Sequence, residues 1–257
     1  GDIRFEDVHF RYGSRVTVFE GLDLKIPEGR VTAFVGQSGS GKSTLVNIIQ
    51  KLYPLQKGRV LIGDINLGYI DIQSLRDQVS VVPQKIDLFA GNVISNIAVG
   101  EFEPDMDKII SICKKLGIMD FIEELPSGFE TYLGENGANL SGGQKQRIAV
   151  ARALYKEPEI IIFDEATSAL DSTSEEYIHN TIESLKEEGK TIILISHRLS
   201  TIYHADKICV LEKGRLMEQG THQELLEKQE NYYKLWKKQL PSFNGQSLID
   251  LIGYQHS

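Results

Sequence analysis

Little in this sequence suits an oxidising compartment or a lipid bilayer. Its 257 residues include only two cysteines. Cys113 and Cys209 each stand in an apolar setting, outside any CxxC pair or Cys/His cluster. That excludes a disulfide framework, and both read as buried thiols in a reducing compartment. The longest apolar runs, such as 160–163 and 192–195, fall far short of the roughly 18 residues a membrane-crossing helix needs. Basic charge is not in excess either. There are 28 Lys and Arg against 36 Asp and Glu, a formal net charge of −8, so nothing draws the chain to nucleic acid in general and no such partner is expected. The chain also lacks an initiator methionine and a signal peptide, and opens on alternation at Ile3, Phe5, Val8 and Phe10. It reads as a domain of a longer polypeptide.

What is present is a well-patterned apolar framework, at 41% of residues. From Ile3 to Ile26 apolar and polar residues alternate between turn signals at Gly13, Gly21 and 27–29, which predicts a half-exposed antiparallel sheet. Four apolar runs follow at 31–35, 79–82, 160–163 and 191–195, and each ends in polar residues suited to phosphate or metal chemistry. Such runs fit strands buried on both faces of a parallel sheet, whose ligands gather beyond the carboxyl ends. A further short strand and turn is expected at 60–65 and a short helix at 74–78. Helical spacing at 105–116 and 142–155 predicts a helical subdomain, about 85–157, inserted in the sheet core. A capping box at 221–224 opens an amphipathic helix expected to run to about Lys238, with Pro241 closing it. The fold class is therefore α/β: one domain over 1–240, and a tail over 241–257 to which no function is assigned.

The first run leads into Gly36-Gln37-Ser38-Gly39-Ser40-Gly41-Lys42-Ser43-Thr44, which fits the phosphate-loop pattern in full. Glycines there let successive N–H groups turn towards a polyphosphate at the next helix's positive end. Lys42 adds a charge for the outer phosphates, and Ser43 a hydroxyl for a Mg²⁺ ion bridging them. Asp164 and Glu165 follow a buried run, where desolvation disfavours two carboxylates unless a metal or water network compensates. Asp164 is the expected metal partner, and Glu165 the group that orients or deprotonates a water attacking the γ-phosphate. Leu140-Ser141-Gly142-Gly143-Gln144 precedes a helix; with Ser141 as N-cap and two glycines it forms a second potential anion site.

Together these motifs resemble the nucleotide-binding domain of an ATP-binding cassette (ABC) transporter over about 3–240, which implies a P-loop NTPase core. In that family two domains pair head to tail, each ATP lying between one phosphate loop and the partner's signature loop. By resemblance, Ser141, Gly142, Gly143 and Gln144 contact the partner's ATP. Gln84 resembles the glutamine that reaches Mg²⁺ and its water. His197 resembles the switch histidine at the γ-phosphate, Asp171 the aspartate that communicates across the dimer, and Tyr12 the aromatic that stacks on adenine. The segments 196–202, 205–206, 214–215, 220–226 with residue 223 passed over, and 87–96 resemble exporters whose membrane and nucleotide domains share one polypeptide, in particular bacterial exporters of peptides or bacteriocins. One departure is Tyr132 where exporters often carry an acidic residue. Glu165 and the signature are both intact, so the resemblance implies a homodimer with two equivalent sites at the cytoplasmic face of the cell membrane. Other cassette readings, a soluble ATPase of DNA repair or translation and a module that ATP merely dimerises, fit the acidic charge, the exporter-like segments and the intact Glu165 and His197 less well.

Overall fold

The computed structural model describes residues 1–14, 16–134, 137, 139–165 and 172–239, the side chains of 172–174 and 200 excepted. Its strands begin with β1 (Ile3–Tyr12), β2 (Val16–Ile26), β3 (Val31–Val35), β4 (Lys57–Ile62) and β5 (Ile65–Asn66). They continue with β6 (Val79–Val82), β7 (Ile160–Asp164), β8 (Thr191–Ile195), β9 (Lys207–Glu212) and β10 (Arg215–Gly220). The helices are α1 (Lys42–Ile49), α2 (Ile72–Gln78), α3 (Val93–Ile97), α4 (Met106–Lys115) and α5 (Met119–Glu123). After these come α6 (Gly142–Leu154), α7 (Ser172–Glu187), α8 (Leu199–Ile202), α9 (His222–Lys228) and α10 (Asn231–Gln239).

The alternating N-terminal region forms an antiparallel sheet in the order β2-β1-β4-β5. The apolar runs form a second sheet, β10-β9-β3-β8-β7-β6, parallel throughout except for β10 at one edge. The mixed α/β architecture is the one expected. Both faces of the larger sheet are covered, and the period-2 alternation of its strands shows how. Ala33, Ile161, Phe163, Leu194 and Val210 enter one core with α6 and α7 residues such as Ile148, Val150 and Ile178. Phe34, Ile162, Ile193, Ile195 and Cys209 enter a second core, where Leu45, Ile48 and Ile49 of α1 meet Phe5, Phe10 and Phe19 of the antiparallel sheet. Helix α1 thus lies between the two sheets. Both cysteines are buried, and burial pushes the Cys113 thiol up to about 12.

Register then aligns the functional strand ends. Phe34 pairs with Ile195, Ile195 with Asp164, and Phe163 with Val82. The residues following β3, β8, β7 and β6 therefore emerge on one rim. Strand β6 departs from the doubly buried pattern: Ser80 and Val81 are half-buried because it is the sheet's outer strand. The four helices α3–α6 all fall between β6 and β7 in the chain. Helix α2 begins before the expected residue because Asp71 caps it, accepting from the amides of Gln73 and Ser74.

The single helix expected from 221 to about Lys238 is instead two. Gln229 adopts a left-handed conformation (φ 54°) that ends α9. The buried carboxylate of Glu218 on β10 then accepts from the amides of Asn231 (2.7 Å) and Tyr232 (2.9 Å) and starts α10 anew. This cap comes from a strand rather than from the residues just before the helix, so helical periodicity carries no trace of it.

His222, at the start of α9, hydrogen-bonds through Nδ1 to the Tyr232 hydroxyl (2.8 Å), and its ring lies 4.6 Å from that of Trp236, the sole tryptophan. Burial first, and then the charge of His204, pulls its pKa down from 6.5 to about 4. The neutral ring is the folded form. Its contribution to stability is therefore complete above pH 6.5 and is lost as pH falls through about 4. Trp236 fluorescence should accordingly show an acid transition centred near pH 4 that disappears in His222→Phe. A midpoint near the ordinary imidazole value would show that the ring is not desolvated.

Candidate functional site

The phosphate loop leaves β3 through a backbone that only glycine accommodates. Gly36 has φ +151°, and a Cβ there would run into the Leu211 carbonyl of β9. Gly41 has φ +107° and lies against the Phe19 ring. It is the N-cap of α1 without a side-chain cap, which leaves the helix's first amides available to an anion. Gln37, Ser38 and Gly39 form the exposed outer turn, whereas Ser40 is buried, its amide donating to Gln37 O (3.1 Å) and its carbonyl accepting from Gly214 (3.0 Å). The Lys42 side chain folds back into this curl. Its Nζ donates to Gly36 O (2.9 Å), Gln37 O (3.0 Å) and Ser40 Oγ (3.2 Å). Burial lowers its pKa, opposed by the charges of Glu165 and Asp164. Next along α1, Ser43 is exposed and Thr44 buried.

Asp164 is the last residue of β7, and Glu165 follows with φ 49°, a left-handed conformation unusual away from glycine. A bond from its amide to Ile195 O (2.7 Å) across the sheet fixes this turn. The Glu165 side chain is thereby aimed at the loop after β8, where its Oε1 meets His197 Nε2 at 2.6 Å. Asp164 is half-buried, and its pKa is raised by burial first and then by Glu165, against the pull of Lys42. A cation, two carboxylates and an imidazole thus share one rim. Gln84 stands exposed beyond β6, the next strand along that rim.

Ser141 and Gln144 close on each other in a capping box at the head of α6. The Gln144 amide donates to Ser141 Oγ (3.2 Å) and the Ser141 amide to Gln144 Oε1 (3.0 Å). Gly142 beside them is exposed, with open space where a side chain would stand. Ser141 and Gly142 thus leave the head of α6 exposed.

A family model described as "ABC transporter" matches residues 19–168. The chain belongs to the ABC transporter family. It is 46% identical over 244 residues to Multidrug resistance protein 1 of Entamoeba histolytica, covering 93% of this chain and 19% of that protein. It is 44% identical over 240 residues to the ATP-dependent lipid A-core flippase of Chromohalobacter salexigens, covering 93% and 41% respectively. Among solved structures it superposes on a bacterial Atm1-family ABC exporter with ATP bound, with a TM-score of 0.87, 40% identity, and coverage of 93% of this chain and 42% of that one. The chain spans less than half the length of these relatives.

Tyr12 stands beside the phosphate-loop helix: its hydroxyl donates to Thr44 Oγ1 (3.3 Å) and accepts from Asn47 Nδ2 (2.9 Å). Its ring sits edge-on to Phe10 and Tyr53. Asp171 lies outside the described residues. A further residue belongs to none of the sequence motifs. Arg152, near the end of α6, donates to Asn96 O (2.8 Å), Asn96 Oδ1 (3.0 Å) and Asp87 O (3.1 Å), and lies over the Phe89 ring at 4.9 Å. It ties the segment after Gln84 to the helix that Ser141 heads. The available signal was a lone cation in the otherwise apolar run 148–154. Arg152→Ala removes three charge-assisted hydrogen bonds, although Asn96 Oδ1 keeps the Phe89 amide as a donor (2.8 Å), and should cost about 2 kcal/mol or more. Thermal denaturation should show this as a Tm lower by roughly 4–8 °C, with Arg152→Lys falling between because an ammonium cannot reproduce the planar fork.

Proposed function

We propose that this chain is the ATP-hydrolysing motor domain of an ABC exporter, working as a head-to-tail homodimer. The observation that carries the reading is the 2.6 Å Glu165–His197 pair on the same rim as the phosphate-loop lysine. On this reading Lys42 exchanges its loop carbonyls for the outer phosphates of ATP, with the amides of residues 36–44 around them. Glu165 then takes the proton of a water whose oxygen attacks the γ-phosphorus. The bond to the β–γ bridging oxygen breaks in step, and ADP leaves with that electron pair. His197 Nε2 moves from Glu165 to the γ-phosphate and, with Lys42, offsets the negative charge of the transferring group.

A divalent ion fits the residues present. Ser43, Gln84 and Asp164 offer a hydroxyl, an amide oxygen and a carboxylate, the hard oxygen donors Mg²⁺ prefers. Asp164, held high by burial and by Glu165, is a carboxyl short of positive charge. These three would hold the ion, which would neutralise phosphate charge when bound.

The second copy supplies Ser141, Gly142, Gly143 and Gln144 to complete each ATP site, with Asp171 at the junction. The domain extends over 1–240, with 85–157 as its helical subdomain and 241–257 as a tail. Membrane segments on the same polypeptide place it at the cytoplasmic face, and residues 87–96 receive their motion. Among the described residues no helix is long and apolar enough to cross a membrane. The relatives' names speak of lipid A and multidrug resistance, so the peptide cargo rests on resemblance alone, and the choice of cargo is left to the membrane segments.

The test is Mg-ATP turnover per chain as protein concentration rises. Specific activity should climb with concentration and be lost in Ser141→Arg. Glu165→Gln should lower turnover about 10²-fold or more while nucleotide binding persists. Turnover that is independent of concentration and survives Ser141→Arg would refute the shared site, and full turnover in Glu165→Gln would refute the base.

A further inference from the structure

We propose that Gln239, the last residue of α10, is a positioning residue for hydrolysis: its side chain sets the switch loop that carries His197. This deepens the preceding reading and rests on it. The His197 side chain is 44% exposed and has little packing of its own, so the aim of its ring at Glu165 depends on the backbone beneath it. That backbone is gripped by one carboxamide. Gln239 Nε2 donates to His197 O (2.6 Å), and Gln239 Oε1 accepts from Leu199 N (3.1 Å). A carbonyl can only accept and an amide N–H can only donate, so this orientation is the one complementary to both groups.

The second bond answers a local need. Helix α8 begins at Leu199, and its N-cap residue, Arg198, provides no side-chain cap. The first amide of the helix would otherwise lack a partner, and Gln239 supplies one from 40 residues away in sequence. Other contacts steady the loop internally. The Arg198 amide donates to Ser196 Oγ (2.9 Å), and Arg198 pairs with Glu175 of α7 (3.1 Å). Gln239 connects the loop to the C-terminal helices.

Helix α10 is a firm support for such a grip. Glu218 caps its start with two hydrogen bonds, and Tyr232 and Trp236 are buried in the core shared with the parallel sheet. The chain from β10 through α10 is thus a brace running from the sheet edge to the switch loop. A small displacement of a catalytic group can lower rate about 10²-fold without loss of binding, so the position of α10 controls hydrolysis rather than ATP capture.

The experiment compares Gln239→Ala and Gln239→Glu with the unaltered domain in Mg-ATP turnover, including His197→Ala as reference. Gln239→Ala should lower kcat about tenfold or more with KM changed less than about twofold and thermal stability retained. Gln239→Glu separates positioning from structure. As a carboxylate it still accepts from Leu199 N but cannot donate to His197 O; protonated, it can do both. A glutamate in this half-exposed position stays ionised from about pH 6 to 8, and the Leu199 N–H it accepts favours that form. Gln239→Glu should therefore lower kcat at least as far as Gln239→Ala, with KM and thermal stability again little changed, because the carboxylate meets the His197 carbonyl without a proton to donate. Unchanged kcat in Gln239→Ala, or full kcat in Gln239→Glu, overturns the proposal even if the first variant is unstable. If the unaltered domain fails to hydrolyse ATP, or His197→Ala keeps full turnover, the motor reading itself fails and takes this inference with it.

Discussion

The constraint on which the rest depends is the register of the parallel sheet. A one-residue slip of β7 against β8 would send Ile161 and Phe163 into the opposite core and turn Asp164 to the other face. Because alternate residues fill two different cores, the slip is opposed from both sides. The alignment of Phe34, Ile195, Asp164 and Val82 at the strand ends is therefore a product of packing, not of the site's own attractions. The site inherits its geometry from residues that take no part in its chemistry.

Given that alignment, the charges satisfy one another. Lys42 has three oxygen acceptors within its own loop, and Glu165 has His197. Asp164 is the group left short of positive charge. A polyphosphate entering with a cation would offer Lys42 stronger acceptors, and Asp164 a counter-charge. The interactions to be exchanged are modest loop contacts. The strained φ of Glu165 fits this picture, since its amide bond to Ile195 O fixes the residue while leaving the carboxylate free to change partners.

How much was legible in the sequence follows from how local each feature is. The phosphate loop, the adjacent carboxylates and the Ser141–Gln144 cap are contiguous, and a pattern of neighbours can be read directly. The apolar runs of β3, β7 and β8 were also readable, because burial on both faces removes the alternation that marks a half-exposed strand. What escaped was long-range. Arg152 meets residues more than 50 positions away, Gln239 meets residues about 40 away, and Glu218 caps a helix from 13 positions upstream. The break at Gln229 was hidden for a related reason. The apolar spacing of α9 and α10 continues across it, since both helices bury residues, Leu225 and Tyr232 among them, in the same core.

Those long-range contacts share a design. Arg152 and Gln239 each fix the end of a helix to a loop on or beside the rim, and Glu218 fixes the other end of α10 to a strand. Helix α6 carries Ser141 at its head and Arg152 near its end, 11 residues or about 17 Å apart at 1.5 Å per residue. A helix of this length, packed through Ile148, Val150 and Ala151 into the main core, does not bend at little cost. The segment held by Arg152 and the loop headed by Ser141 consequently move as one body or not at all. The Gln239 brace has the same logic towards the other edge of the sheet, with α10 as the rod and the loop of His197 as its load. Rigid helices pinned at loop contacts let a fold with a fixed sheet carry a site whose parts must shift. The sheet supplies the register, the helices supply the linkage, and the few hydrogen bonds at their ends decide which loops are linked.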